Sequence, residues 1–318
     1  MKQIYVSEKE NKLRAVYKTS DPVYTKEDLL SRPDLFRDTE IIFSTWGMPS
    51  LSEEEIQSCL PSLKAVFYGA GTVQKFARPF LRCGVRIFSA WAANAVPVAE
   101  YTVAQIVLAN KGFFQTMRYE DRKAAKALHA HFPGNYGGKV GLIGAGMIGK
   151  MVISRLKDYA LQVLVFDPFL PDERAAELGV EKTDLARLFR ECFVVSNHLA
   201  NNAQTQGMLR GCHFESLPPY ATFLNTGRGA QVVEAELIEV LQKRPDLTAI
   251  LDVTDPEPPM EESPLYTLPN CILTPHIAGS SGNEVRRMGE YMREEYARFS
   301  EGRPCLYEVT EKMLETMA

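Results

Sequence analysis

The chain has 318 residues, 45% of them hydrophobic and 24% charged, with a formal charge of −4 from 36 basic and 40 acidic side chains. This is the composition of a globular protein with room for two domains, and its mild acidity gives no electrostatic reason to bind nucleic acid or an anionic membrane. No apolar run approaches the roughly 20 residues of a membrane span, and Met1–Val6 enters a strand-like pattern without a signal-peptide core.

The six cysteines are scattered, with no Cys-x-x-Cys pair. Free thiols, no metal site and a cytoplasmic location are therefore expected. Glu40–Ser44 reads as a strand that ends at Trp46-Gly47-Met48-Pro49, where Gly and Pro force a loop. Ser52-Glu53-Glu54-Glu55 opens a helix, with Ser52 as N-cap and Glu55 at the capping-box position. Lys64–Tyr68 is a second strand, stopped by Gly69-Ala70-Gly71, and Arg86–Phe88 is a third. Strands alternating with helices predict a parallel sheet covered on both faces.

From Val98 to Met117 the apolar spacing is helical, and Arg118 to Lys126 is densely charged, which predicts a solvated helix or arm. His129 and His131 follow it; exposed or half-packed histidines are expected there, not metal ligands. A second βα series begins at Lys139. Its strands are Val140–Ile143, Gln162–Phe166, Phe193–Ser196, Ala221–Leu224, Leu247–Val253 and Cys271–Leu273, with helices at about 147–158, 172–178, 184–190, 205–217 and 231–243. Six such strands match a doubly wound dinucleotide-binding sheet. A last helix over 283–299 carries Val285, Met288, Met292, Tyr296 and Phe299 at helical spacing, an inner stripe.

Gly144-Ala145-Gly146-Met147-Ile148-Gly149 joins the first strand of this series to its first helix. In that context the first glycine permits the tight turn, the second lets the backbone approach a diphosphate, and the third lets helix pack on strand. The diphosphate then rests on the N–H groups of the helix N-terminus. Asp167 ends the next strand, where a carboxylate accepts the ribose hydroxyls and repels a 2′-phosphate, so NAD is expected in preference to NADP.

Arg228, Glu257 and His276 each follow a strand of this sheet, on the side where such sheets bind ligands. Reduction of a 2-oxo acid needs a fixed planar cation for the carboxylate and ketone. It also needs a proton donor that titrates near neutrality, and a carboxylate on the imidazole would favour its protonated form. Each residue alone has a plain alternative as a surface turn, a solvated loop residue or a helix cap. Their joint occurrence after the glycine turn points to hydride transfer at a carbon bearing a carboxylate.

These motifs resemble those of the D-isomer-specific 2-hydroxyacid dehydrogenases over about residues 40–300, above all in the Gly144 turn, Asn225–Ala230, Asp252–Pro258 and Thr274–Ser280. The resemblance implies Arg228, Glu257 and His276 as the catalytic set. It further implies Asp252 beside the nicotinamide carboxamide, Leu199-Ala200 on the adenine side, and Thr102, Thr226, Gly227 and Gly279 with Met147 and Ile148 among the cofactor contacts. Gly69-Ala70-Gly71 would offer N–H groups to the substrate carboxylate. Trp46 is a candidate pocket wall, with loop or core packing as the equal alternative. The implied fold is α/β, two doubly wound parallel-sheet domains. A Rossmann cofactor domain (104–283) would be inserted in a flavodoxin-like substrate domain (1–103 and 284–318), and the assembly would be a homodimer.

Three departures stand out: Gly71-Thr72-Val73-Gln74 replaces the family's frequent Gly-Val-Asp, His198–Asn202 replaces His-x-Pro-Leu, and no Trp occurs over 132–138. The expected function is an NAD-dependent oxidoreductase of a small 2-hydroxy or 2-oxo acid. The alternative is a dinucleotide-sensing scaffold or corepressor on the same fold.

Overall fold

The computed structural model describes residues 1–117 and 121–315, so Arg118–Glu120 of the charged segment lie outside the described residues. In chain order the strands are β1 (Gln3–Val6), β2 (Val23–Tyr24), β3 (Ile41–Ser44), β4 (Ala65–Tyr68), β5 (Arg86–Ser89), β6 (Tyr136–Ile143), β7 (Ala160–Phe166), β8 (Glu181–Lys182), β9 (Val194–Asn197), β10 (Thr222–Asn225), β11 (Thr248–Leu251), β12 (Cys271–Leu273) and β13 (Glu308–Val309). The chain divides into two compact units, Met1–Asn94 with the segment from Ser280 onward, and Ala95–Gly279. The limits at 103/104 and 283/284 expected from sequence lie nine and four residues further along the chain than 94/95 and 279/280; the first of them falls inside a single helix, Trp91–Asn110.

In the first unit the sheet order is β2-β1-β3-β4-β5, closed by antiparallel β13. The five parallel strands follow the flavodoxin-like order. Register places Tyr5 beside Phe43, Phe43 beside Phe67 and Phe67 beside Phe88, so one row of aromatic rings crosses four strands. Phe67 and Phe88 stack at 4.7 Å, and Tyr296 and Phe299 meet the row edge-on, the geometry that ring quadrupoles favour. The expected stripe of the last helix, Val285–Ser300, is thus the cover of this sheet, with Met288 and Met292 fully buried. Ser52 and Glu55 form the expected capping box: Ser52 Oγ accepts the Glu55 N–H at 3.1 Å and Glu55 accepts the Ser52 N–H at 2.8 Å.

In the second unit the order is β8-β7-β6-β9-β10-β11-β12, all parallel. This is a Rossmann sheet extended by one strand, with the order reversing between β6 and β9. Sequence periodicity missed β8, whose two exposed residues carry no apolar signal.

Two expectations are corrected. The helix expected over 205–217 shrinks to Gly211–Glu215. Asn202 Oδ1 takes the N–H groups of Gln204 and Thr205, Gly207 has φ +61°, and the Leu209 N–H pairs with the Gln231 carbonyl. Local side-chain turns and a bridge to Val232 thus outcompete helix. Second, Trp91–Asn110 is a 20-residue helix with mean hydropathy 1.2, long and apolar enough to cross a membrane by length and composition, contrary to the expectation that no such run exists. Ala99, Ile106 and Ala109 of that helix are buried in the core beneath β6. It ends at Asn110, and in the turn that follows Gly112 has φ +68° and a Cβ on it would lie 2.3 Å from the Phe132 ring.

Candidate functional site

The glycine turn is shaped by close approach. Gly144 has φ +97°, and a Cβ on it would meet the His198 carbonyl at 3.0 Å, so the loops after β6 and β9 touch where the sheet order reverses. A Cβ on Gly149 would lie 2.1 Å from the Gly144 oxygen. Gly146 is different: it precedes the helix Met147–Leu156, no side chain caps that helix, and a Cβ there would meet nothing within 4 Å. An uncapped ten-residue helix behind an open glycine fits a diphosphate group. Asp167 is tied to this turn, accepting the Ala145 N–H and the Phe169 N–H, each at 2.8 Å.

Behind the turn runs a buried polar chain. Thr102 Oγ lies 3.4 Å from Thr226 Oγ, which lies 3.4 Å from His198 Nδ1, and His198 Nε2 is 2.9 Å from Ser196 Oγ. Burial pushes His198 down to about 4, so its imidazole is neutral at pH 7. Leu199 and Ala200 continue this loop, half-buried.

Arg228 follows β10 in a loop that leaves little slack. A Cβ on Gly229 would lie 1.9 Å from the Thr254 carbonyl carbon, and one on Gly227 would lie 2.8 Å from Asn197. The guanidinium donates to the Gly227 carbonyl at 2.7 Å, and among the described residues it has no carboxylate within ion-pair distance. Burial lowers its pKa, while the charge of Glu257 raises it, so Glu257 is electrostatically close.

Glu257 and His276 meet directly, Oε1 to Nδ1 at 2.7 Å, with both side chains half exposed. His276 has φ +54°, a left-handed conformation rare outside glycine. The loop that holds it is clamped from below. Buried Asp252 accepts the Thr274 hydroxyl at 2.6 Å, the Ile277 N–H at 2.8 Å and the Ala278 N–H at 2.9 Å. Tyr101 Oη lies 3.2 Å from the same Thr274 hydroxyl. Gly279 ends this loop, half-buried.

The sequence profile of the D-isomer specific 2-hydroxyacid dehydrogenase NAD binding domain matches residues 103–278, more than half of the chain. The chain belongs to this family. Among relatives of the 2-hydroxyacid dehydrogenase family, a D-3-phosphoglycerate dehydrogenase of Archaeoglobus fulgidus is 31% identical over 223 residues, 70% of this chain but 42% of that protein. A glyoxylate reductase of Korarchaeum cryptofilum is 32% identical over 167 residues, 52% of this chain and 50% of that protein. The chain thus spans half or less of the length of these curated relatives.

Solved structures of the family share its fold at low identity. The NAD-complexed D-isomer specific 2-hydroxyacid dehydrogenase of Lactobacillus delbrueckii ssp. bulgaricus superposes with a TM-score of 0.78 at 19% identity, covering 98% of this chain and all of that one. Apo D-mandelate dehydrogenase of Rhodotorula graminis gives 0.77 at 20% identity, with 98% of each chain covered.

In the first unit, the family resemblance named Gly69, Ala70 and Gly71 as carboxylate-binding donors. Gly69 is excluded, because its N–H already donates to the Ser44 carbonyl at 2.7 Å. Ala70 is buried and Gly71 half-buried at the end of β4, where the Ser89 hydroxyl secures the Ala70 carbonyl at 2.9 Å. Trp46 packs against both cores of its unit, with Lys12 Nζ 5.5 Å from its ring centre. His131 stacks on Tyr220 at 4.2 Å, and among the described residues no metal-binding group of three occurs.

Sequence reasoning missed Asn197 and Gln231, both fully buried. Asn197 Nδ2 donates to Asn225 Oδ1 at 3.0 Å and to Gln231 Oε1 at 2.6 Å. For Asn197 the available signal was a polar side chain closing an apolar strand, since buried amides are retained only where their bonds are satisfied; Gln231 lies in the turn Gly229–Gln231 and carried no such signal.

Proposed function

We propose that this protein is an NAD-dependent oxidoreductase of a small 2-hydroxy or 2-oxo acid, with NAD preferred over NADP. One observation carries the reading: Arg228, a mostly buried guanidinium that has no carboxylate within ion-pair distance among the described residues, stands within electrostatic range of a hydrogen-bonded Glu257–His276 pair. A desolvated cation without a counterion is costly unless an anion arrives to pair with it, and a substrate carboxylate is such an anion.

In this reading Gly144, Gly146, Met147, Ile148 and Gly149 hold the diphosphate, and Asp167 accepts the adenosine ribose. Thr102, Leu199, Ala200, Thr226, Gly227, Asp252 and Gly279 complete the cofactor contacts. When bound, the nicotinamide supplies or takes up the hydride. Arg228 grips the substrate carboxylate and polarises the C2 carbonyl by a planar, charge-assisted fork. His276 gives its proton to the C2 oxygen during reduction, and Glu257, 2.7 Å from Nδ1, orients the imidazole. In the oxidative direction neutral His276 removes the hydroxyl proton. The N–H groups of Ala70 and Gly71 suit an anionic substrate group, and a homodimer is the proposed assembly, to be checked by sedimentation.

The decisive test is NADH oxidation by purified protein against glyoxylate, hydroxypyruvate, pyruvate, a phosphorylated 2-oxo acid and bulkier 2-oxo acids. Turnover of at least one is expected, with Arg228→Ala and His276→Ala each lowering kcat/KM by about 10²-fold or more. Wild-type rates in both variants remove the mechanism, and a strong NADPH preference removes the role of Asp167.

A further inference from the structure

Gln231 joins two loops to which the functional reading gives different tasks. Its side chain is fully buried and both ends of its amide are used. Oε1 accepts Asn197 Nδ2 at 2.6 Å and the backbone N–H of Arg228 at 3.2 Å. Nε2 donates to the Leu199 carbonyl at 2.8 Å and the Ala200 carbonyl at 2.9 Å. Asn225 completes the frame by donating to the Arg228 carbonyl at 3.2 Å. A planar amide has fixed directions for donor and acceptor, so a displacement at one end changes the geometry at the other.

Resting on the proposed activity, we infer that Gln231 is a positioning residue that couples the cofactor-side loop Leu199–Ala200 to the substrate-gripping Arg228. Ordering of that loop by the dinucleotide fixes the Arg228 backbone through one side chain. The chain carries Ala200 within His198–Asn202, and this segment takes its shape from the bonds to its carbonyls.

Two substitutions separate coupling from simple packing. Gln231→Met keeps volume and removes both ends. Gln231→Glu keeps the acceptor; protonated it still donates toward Leu199 or Ala200, whereas ionised it faces two carbonyl oxygens with none to give. Around this position His198 stays neutral and Arg228 charged across the range used. NADH affinity is read by its fluorescence, alongside kcat and the KM for glyoxylate.

Gln231→Met is expected to weaken NADH binding and lower kcat/KM, each by about tenfold or more. Gln231→Glu is expected to bind NADH nearly as wild type at about pH 5.5 and about tenfold more weakly at about pH 8.5, a slope absent from the wild type. NADH affinities in both variants that match the wild type at every pH overturn the inference, as does an equal loss in both that ignores pH. A wild type that binds NADH but reduces no 2-oxo acid defeats the proposed activity instead, leaving the pH-dependent affinity of Gln231→Glu to decide the link to the cofactor loop. A wild type that binds no NADH overturns both.

Discussion

The Asp252 carboxylate accepts the Thr274 hydroxyl at 2.6 Å, and through the adjoining N–H groups of Ile277 and Ala278 it holds the loop that presents His276 in a left-handed conformation. Such a backbone costs on the order of 1–3 kcal/mol and persists only when its surroundings over-determine it. Three charge-assisted hydrogen bonds to one buried carboxylate provide that restraint.

Asp252→Asn turns one acceptor oxygen into an NH2 group that faces a donor. The expected outcome is a fall in kcat/KM of about 10- to 100-fold, from a bond loss worth about 1–3 kcal/mol, with a lower Tm. Steady-state kinetics and thermal unfolding check it. An unchanged kcat/KM would show that the loop holds His276 without the clamp.

The glycine turn yields a paired prediction. Gly149→Ala places a methyl 2.1 Å from the Gly144 carbonyl oxygen, so helix and turn must separate and the protein should lose about 1–3 kcal/mol of stability. Gly146→Ala meets nothing within 4 Å, so its Tm should match the wild type while NADH affinity falls, because the methyl stands where a diphosphate would approach. Calorimetry and NADH titration separate the two. Equal Tm losses would overturn the assignment of Gly146 to ligand approach.

Much of this was legible in sequence because the sheets are parallel and covered on both faces. Ile41–Ser44 and Ala65–Tyr68 are entirely buried and apolar but for the Ser44 and Tyr68 hydroxyls, and they read directly as strands. The order of Arg228, Glu257 and His276 after successive strands also showed, since each strand end leads to the ligand side of the sheet. What did not show was pairing over distance, by backbone or by side chain. The 205–217 segment looks helical, but the Gly207 and Leu209 N–H groups go to the Ala230 and Gln231 carbonyls, which leaves helix only over Gly211–Glu215. The use of the Gly69 N–H by Ser44 depends on ladder register, which no local pattern carries. Asp252 was placed by family resemblance beside the cofactor; that it also holds three donors from the His276 loop depends on tertiary contacts.

Arg228→Lys keeps the charge and discards the planar fork. The Gly227 carbonyl already engages one guanidinium nitrogen at 2.7 Å, which sets the angle of the fork toward an anion. A lysine ammonium is a point charge with no such orientation. Retained substrate binding at elevated KM, together with a kcat reduced by about 10-fold or more, is the expected result. The measurement is saturation kinetics for a 2-oxo acid at fixed NADH. Wild-type kcat in this variant would show that charge alone suffices.

His198 sets an acid limit on stability. Its imidazole is fully buried and pushed by that burial from 6.5 down to about 4. The unfolded chain therefore takes up a proton at this residue before the native protein does. The contribution is complete above pH 6.5 and lost as pH falls toward about 4, reaching about 3 kcal/mol at 1.36 kcal/mol per unit. Carboxylates whose pKa values are lowered, such as Asp28 by hydrogen bonds from Thr25 and Glu40 by one from Lys64, act further down, so the windows are separable. His198→Gln, which keeps polar atoms near Ser196 and Thr226 without a titrating ring, should be less stable at neutral pH yet lose less stability between about pH 6.5 and 4.5. Urea midpoints of both proteins across that interval measure the difference. Parallel pH curves would place the acid sensitivity elsewhere in the chain.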